Sequence, residues 1–120
     1  MGNPVVHFEI LGPDGAELID YYRELFGWPM RPGQLPGWPH YGHFQAEHGI
    51  AGAVGTAQIL QGEPRVVVCV QVDDPQAYLD GAEQLGGQPI LPVTEIPQAQ
   101  ITVAWMRYPQ GNIIGLVKPD

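Results

Sequence analysis

The chain has 120 residues, a length that suits one domain with one apolar core, and 44% of its residues are hydrophobic. Thirteen acidic and five basic residues give a formal charge of −8, which argues against nucleic acid or an anionic membrane surface as a partner. Since no apolar run approaches the roughly 20 residues of a spanning helix and the N-terminus lacks the pattern of a signal peptide, we expect a cytoplasmic protein with no membrane partner.

The first predicted element is a strand over residues 5–10. Apolar and polar residues alternate there, so that Phe8 and Ile10 share one face while His7 and Glu9 share the other. The face of this strand that carries His7 and Glu9 is therefore polar, and we expect it to face solvent or a pocket.

A helix is predicted to follow this strand. Asp14 and Glu17 have the spacing of a capping box, and Gly27 is a residue type that commonly ends helices. Apolar residues within 16–26 recur at helical spacing and predict a buried stripe. The stripe consists of Leu18, Ile19, Tyr22, Leu25 and Phe26.

Loop and short strand patterns follow the helix. Residues 28–40 hold four prolines and predict a loop, and residues 41–45 predict a short strand. Residues 49–55 predict another strand built from very small side chains, where another group can approach the backbone closely. Residues 55–64 have the turn-rich character of a connector.

The second half begins with a nearly continuous β-branched run at residues 66–72, which predicts a strand buried on both faces. The single cysteine, Cys69, lies in this run and is predicted to be a buried, inert thiol. Asp73 or Asp74 then caps a helix with Pro75 in its first turn. The predicted buried stripe of this helix is Tyr78, Leu79, Ala82 and Leu85, and Gly86 and Gly87 end it. Further strands are predicted at 89–93, 101–106 and 113–117.

The order of strand, capped helix and glycine stop occurs twice along the chain, which indicates an internal duplication. We predict an α+β fold in which two βαβββ modules form one domain, module one over about residues 4–55 and module two over about 65–120, joined by a connector at 56–64. The alternative is an unrelated α+β sandwich whose two halves match by chance.

Three segments carry a resemblance to a known family: residues 6–10, residues 20–28 and residues 108–116. In this order they resemble the vicinal oxygen chelate superfamily, which includes glyoxalases, bleomycin-resistance proteins and extradiol dioxygenases. The resemblance implies two modules whose curved mixed sheet surrounds a small-molecule pocket, and it implies a homodimer. It also implies a divalent metal bound by one side chain from the first and one from the last strand of each module.

The metal positions implied by the resemblance are His7, residues 51–53, Val67 and Gly115. Among these only His7 has a donor atom, whereas a divalent metal needs three or more. We therefore expect no metal and no cofactor. The alternative is an atypical site that uses residues from the following set: His7, Glu9, His40, His43, Glu47 and His48.

The predicted catalytic residues are His7 and Glu9, because a carboxyl and an imidazole on one strand face form a pair suited to acid–base chemistry. The alternative is that both only satisfy buried polar groups. Aromatic and polar side chains predicted to bind the ligand are Trp38, Tyr41, His43 and Trp105.

Three functions remain open from the sequence. The first is a metal-free small-molecule-binding protein of the glyoxalase and bleomycin-resistance type, with or without acid–base activity. The second is a metal-dependent lyase, isomerase or dioxygenase with an atypical ligand set. The third is an interaction module with a vestigial pocket.

Overall fold

The computed structural model describes residues 2–31, 37, 38, 40–57 and 62–120. The described residues contain seven strands and two α-helices, which confirms the predicted α+β class. The chain divides into two compact units, residues 7–66 and residues 67–120 with the first six residues. Within the described part of the chain, no helix is long and apolar enough to cross a membrane.

The first unit contains β1 (Val5–Gly12), α1 (Gly15–Phe26), β2 (Tyr41–Phe44) and β3 (Ala51–Thr56). Its strands lie in the order β2-β3-β1, with β3 antiparallel to β2 and parallel to β1. Because β3 lies in the middle, side chains from β1 and β2 flank it on both sides. Trp38 forms an isolated bridge in the proline-rich segment, and the predicted loop residues 32–36 and 39 lie outside the described residues.

Helix α1 begins and ends where the local sequence predicts. The Asp14 side chain accepts a 3.1 Å hydrogen bond from the backbone N–H of Glu17. Gly27 adopts φ of 71°, and its N–H donates a 2.9 Å bond to the Arg23 carbonyl. These contacts satisfy backbone groups that the helix itself leaves unpaired at its two ends.

The core of the first unit lies between α1 and one face of the sheet. Its buried residues are Ile19, Met30, Phe44 and Val54. Phe8 and Trp28 pack against this core, with ring centroids 5.4 Å apart. Leu25 and Phe26 are each 56% exposed, so the predicted buried stripe is wrong at the last turn of the helix.

The small residues of β3 permit two close approaches, as the sequence predicts. A Cβ at Gly52 would overlap the Phe8 ring on the core side of the sheet. A Cβ at Gly55 would lie 2.6 Å from the Tyr41 Cα on the other side. Glycine is therefore needed at both positions for the sheet and its neighbours to pack.

The second unit follows the βαβββ order. Its elements are β4 (Arg65–Gln71), whose first two residues fall in the first unit, α2 (Pro75–Gln84), β5 (Gln88–Ile96), β6 (Ile101–Arg107) and β7 (Ile113–Pro119). A 3₁₀ helix, Pro97–Ala99, joins β5 to β6. The strands lie in the order β4-β7-β6-β5, and only the β4–β7 pair is parallel.

Helix α2 is capped by Asp74, whose side chain accepts a 3.2 Å bond from the Ala77 N–H. Leu79 is buried against a core that also contains Val72, Ala104 and Leu116. Two members of the predicted stripe are wrong, since Tyr78 is 39% exposed and Leu85 is 82% exposed. The prediction of burial is wrong for Leu85 because α2 ends at Gln84, so that Leu85 lies beyond the helix.

Strand β4 is less buried than its sequence predicts. Val67 and Cys69 are buried on one face, which confirms that the cysteine is buried. Val66, on the opposite face, is 66% exposed. The prediction of burial on both faces is therefore wrong at the start of this strand.

Candidate functional site

Four polar side chains lie on the three strands of the first unit, on the face that is turned away from α1. Ala53 of β3 is paired with Glu9 on one side and with His43 on the other. Cross-strand partners point to the same face, and so do residues two apart along a strand. His7 and Tyr41 therefore share this face with Glu9 and His43, and we call these four residues the polar face.

A hydrogen bond crosses β3 on the polar face. The Tyr41 hydroxyl donates to Glu9 Oε2 at 2.7 Å. The side chain of Ala53, which is fully buried beneath, is small enough to let the two groups meet above the middle strand. The two residues are 32 positions apart in the sequence, so only the strand order brings them together.

The carboxyl of Glu9 titrates abnormally. Burial raises its pKa above the usual value, and the hydrogen bond from Tyr41 opposes this increase only in part. Burial acts this way because the charged carboxylate loses solvation that the neutral acid does not need. Glu9 therefore holds its proton to a higher pH than an exposed glutamate does.

The pKa of the His7 imidazole is shifted in the opposite direction. Burial, and then the proximity of His43, lower the pKa of His7 to about 4. His7 is therefore neutral at physiological pH and offers one N–H donor and one unprotonated nitrogen. An imidazole and a carboxyl are both side chains that act in general acid–base catalysis.

The structure brings Trp38 beside Tyr41, whereas Trp105 belongs to the second unit. The Trp38 and Tyr41 rings meet edge to face with centroids 5.1 Å apart. Trp105 lies on β6, where it is buried beside Gly115. A ligand contact by Trp38 or Trp105 stays a prediction.

The donor set does not fit the divalent metal that the resemblance implies. Residues 51–53 and Val67 have no donor atoms, and a Cβ at Gly115 would lie 2.8 Å from Cys69 Sγ, leaving no room for a longer side chain. The described residues include every His, Cys, Asp and Glu of the sequence. No group of three or more of them is arranged to hold a metal ion.

The remaining histidines of the atypical set do not join His7 and Glu9 in a metal-binding group. His40 and His48 are exposed, and the His40 carbonyl accepts a 2.8 Å bond from the Thr56 N–H. Of the downstream histidines, His43 alone has a registered position on the polar face within the described strands.

A separate cavity of about 140 Å³ lies at the other end of β1. Its lining residues are Leu11, Gly12, Pro13, Asp14, Glu17, Leu18 and Pro64. None of the predicted site residues lines it, and the Asp14 carboxylate there already caps α1. This cavity is mainly apolar and is distinct from the polar face.

Sequence reasoning identified Glu9 and Tyr41 separately but missed that they form a pair. Tyr41 was predicted as a ligand-binding residue, whereas the structure shows that its hydroxyl is bonded to the predicted acid. The signal that would have shown it is the register of β2 and β1 on β3, which local patterns do not encode.

Comparison with known proteins gives matches by structure. No family model and no curated protein matches the sequence. Methylmalonyl-CoA epimerase from Mycobacterium tuberculosis superposes with a TM-score of 0.65 at 15% identity, over 97% of this chain and 87% of that chain. Glyoxalase I from Zea mays superposes with a TM-score of 0.68 at 20% identity, over 98% of this chain and 44% of that chain.

Another match is an NAD-dependent benzaldehyde dehydrogenase from Legionella pneumophila, with a TM-score of 0.63 at 12% identity, over 95% of this chain and 98% of that chain. At such identities the likeness shows the fold alone. The chain therefore has the glyoxalase-like fold that the sequence resemblance implies. The diversity of these activities means that the function has to be argued from the site.

Proposed function

We propose that this protein binds a small organic molecule on the polar face and exchanges protons with it through His7 and Glu9, without a divalent metal. The observation that carries the proposal is the pairing on one face of a half-buried, hydrogen-bonded carboxyl with a neutral imidazole. In this arrangement the unprotonated nitrogen of His7 accepts a proton from the ligand, and the Glu9 carboxyl, which keeps its proton to a higher pH than an exposed glutamate does, is the proton donor.

The cost of keeping these groups partly buried supports a functional role. A desolvated carboxyl and a desolvated imidazole both destabilise the folded chain relative to apolar residues of similar size. Such groups cluster at functional sites because their shifted pKa values are useful there. The purely structural alternative accounts for the Tyr41–Glu9 hydrogen bond but gives no role to His7 and His43.

The neighbours of the same fold include a protein that binds a small molecule. Methylmalonyl-CoA epimerases are among the matches, and one of them holds methylmalonyl-CoA. This is an analogy of fold, and it supports a small ligand only in that sense. In this proposal Trp38, whose ring meets that of Tyr41, contacts the ligand.

The proposal includes a cytoplasmic homodimer. Several large apolar side chains of α1 are exposed, and a two-fold partner would bury such a surface. They are Tyr21, Leu25 and Phe26. Size-exclusion chromatography with light scattering is expected to give twice the 13.1 kDa mass of the chain.

The test combines metal analysis with ligand screening. Purified protein is examined by elemental analysis and native mass spectrometry, and its Tm is then measured against a library of small metabolites. We expect less than stoichiometric metal, no change of Tm with EDTA, and at least one compound that raises the Tm.

Matched variants locate the binding. His7→Asn and Glu9→Gln are expected to abolish the Tm increase, whereas the exposed controls His48→Asn and Glu24→Gln are expected to retain it. Stoichiometric, tightly bound metal would refute the metal-free site. A Tm increase that persists undiminished in both site variants would refute the polar face as the binding surface.

A further inference from the structure

A second group of polar side chains lies in the second unit, where β5 begins and β6 ends. Arg107 of β6 is in register with Gln88 of β5 on one side and with Ile113 of β7 on the other. Cross-strand partners share a face, and so does Trp105, two residues before Arg107 along the strand. Arg107 and Gln88 therefore lie side by side on the sheet face that carries Trp105 and Ile113.

This face is turned away from α2. Ala104 of β6 belongs to the core that contains Leu79 of α2, and successive side chains of a strand point to opposite faces. Trp105, and with it Arg107, therefore lies on the face that α2 does not cover. Trp105 and Ile113 are both buried, so the neighbours of Arg107 on this face include apolar, desolvated side chains.

The guanidinium of Arg107 has a donor that the chain leaves unsatisfied. Its Nε is buried and makes no hydrogen bond within the part of the chain that the structure describes. Every acidic side chain of the sequence is described, and the ion pairs they form involve Arg23 and Arg65, not Arg107. A buried donor on a charged group is unfavourable without an acceptor, which an anionic ligand would supply.

A carboxylate has the charge and the shape for this position. Guanidinium groups bind carboxylates through charge-assisted hydrogen bonds, commonly with two parallel N–H···O contacts. Lys118, the other cationic residue of the second unit, is in register with Thr102 and therefore lies on the α2 side of the sheet. One positive charge matches one carboxylate, whereas a phosphate monoester carries nearly two negative charges.

We propose that the end of the second unit where β5 begins and β6 ends binds a small organic carboxylate, held by the Arg107 guanidinium, with the Gln88 amide donating to one of its oxygens. Arg107 is half-buried and Gln88 is exposed, so a ligand can reach both side chains from solvent. This site uses no residue of the polar face, so it and the proposed function stand or fall separately.

The test uses acetate and benzoate as probes, with acetamide and benzamide as their uncharged counterparts. Each is titrated into isotopically labelled full-length protein at pH 7 and constant ionic strength, and binding is followed by the side-chain Nε–H signal of Arg107 and the amide signals of Gln88. We expect at least one carboxylate to move these signals saturably. Its uncharged counterpart is expected to bind at least about 10-fold more weakly, because the charge-assisted hydrogen bonds are lost.

Matched variants separate a specific site from a general attraction of anions. Arg107→Gln is expected to abolish the carboxylate-dependent movement of the Gln88 signals, and Gln88→Ala to weaken binding about three-fold. Lys118→Gln removes the same charge from the opposite face of the sheet and is expected to retain the wild-type affinity.

The titration of the wild type tests the proposal even if Arg107→Gln does not fold. An Arg107 Nε–H signal that neither carboxylate moves would overturn the proposal. Chloride that binds as tightly as the carboxylate, or a carboxylate that binds Arg107→Gln as tightly as the wild type, would overturn it as well.

Discussion

The hydroxyl of Tyr41 and the carboxylate of Glu9 meet at 2.7 Å across the middle strand of their sheet. The bond depends on Ala53, which lies in register with Glu9 and keeps the space above β3 open. Tyr41 is itself buried, at 8% exposure. The pair therefore joins the two outer strands on the face that carries the proposed chemistry.

Removal of this hydrogen bond is expected to raise the pKa of Glu9 further. The Tyr41 hydroxyl stabilises the charged carboxylate and so opposes the effect of burial. In Tyr41→Phe the burial remains and the opposing interaction is lost. Carboxyl ¹³C NMR titration measures the change, with the exposed Tyr21→Phe as the control. A Glu9 pKa that stays constant or falls would contradict this interpretation.

Glu9→Gln is expected to stabilise the protein at neutral and alkaline pH. Because the folded-state pKa lies above the ordinary 4.5, the folded state binds the proton more tightly than the unfolded state does. The contribution of Glu9 to the free energy of unfolding is therefore fully present below the ordinary pKa, and it is lost as the pH rises through the pKa of the folded state. We expect a gain of about 1 kcal/mol in the free energy of unfolding at pH 8 and none at pH 4.

Urea denaturation at both pH values measures this difference, and Glu24→Gln serves as the control. The variant glutamine retains an oxygen that accepts the Tyr41 hydrogen bond, so the comparison isolates the charge. A loss of stability at pH 8 would indicate that the Glu9 charge stabilises the folded protein, which is incompatible with a raised pKa.

The contribution of His7 to the free energy of unfolding is expected to depend on pH in the direction opposite to that of Glu9. Its pKa is about 4 in the folded protein against an ordinary 6.5, so the unfolded state binds the proton more tightly between these values. The stabilisation is present above pH 6.5 and is lost as the pH falls toward 4, by about 2 kcal/mol for a half-buried group.

His7→Asn removes this dependence, so its free energy of unfolding is expected to change less between pH 6.5 and 4 than that of the wild type. His48→Asn, in an exposed position, is expected to keep the wild-type dependence. His43→Gln is expected to raise the pKa of His7 slightly, because proximity to His43 is the smaller cause of the shift. An equal dependence of the free energy of unfolding on pH in all three variants would show that the pKa of His7 is not shifted.

Local signals in the sequence predicted both ends of α1 and the start of α2. Asp14, Gly27 and Asp74 act within a few residues of themselves, and the structure confirms each as a cap. Alternation in β1 likewise predicted that His7 and Glu9 share a face, because it depends only on the pleat of a single strand.

Features that depend on distant parts of the chain were not predicted. The parallel pairing of β1 with β3 fixes which residue faces Glu9, and a change of one residue in register would have turned Tyr41 to the other side. The periodicity of α1 and α2 also gave no indication of where the packed layer ends. Leu25 and Leu85 match the apolar pattern of their helices but lie past that limit and are exposed.

The junction between β1 and α1 provides a test of how closely the first unit is packed. A Cβ at Gly15 would overlap the His40 carbonyl oxygen and the Thr56 backbone nitrogen, which are hydrogen-bonded to each other at 2.8 Å. Backbone atoms in a sheet do not yield easily, so Gly15→Ala is expected to cost about 2 kcal/mol of the free energy of unfolding.

Gly81→Ala is the matched control for this substitution. Gly81 lies within α2, and an added Cβ there meets no atom within 4 Å. Alanine restricts the unfolded chain and favours the helix, so this variant is expected to be more stable by roughly 0.5–1 kcal/mol. Chemical denaturation of both variants under one condition measures the opposite signs. Equal stability of Gly15→Ala and Gly81→Ala would mean that the start of α1 is not held against His40 and Thr56 as the structure shows.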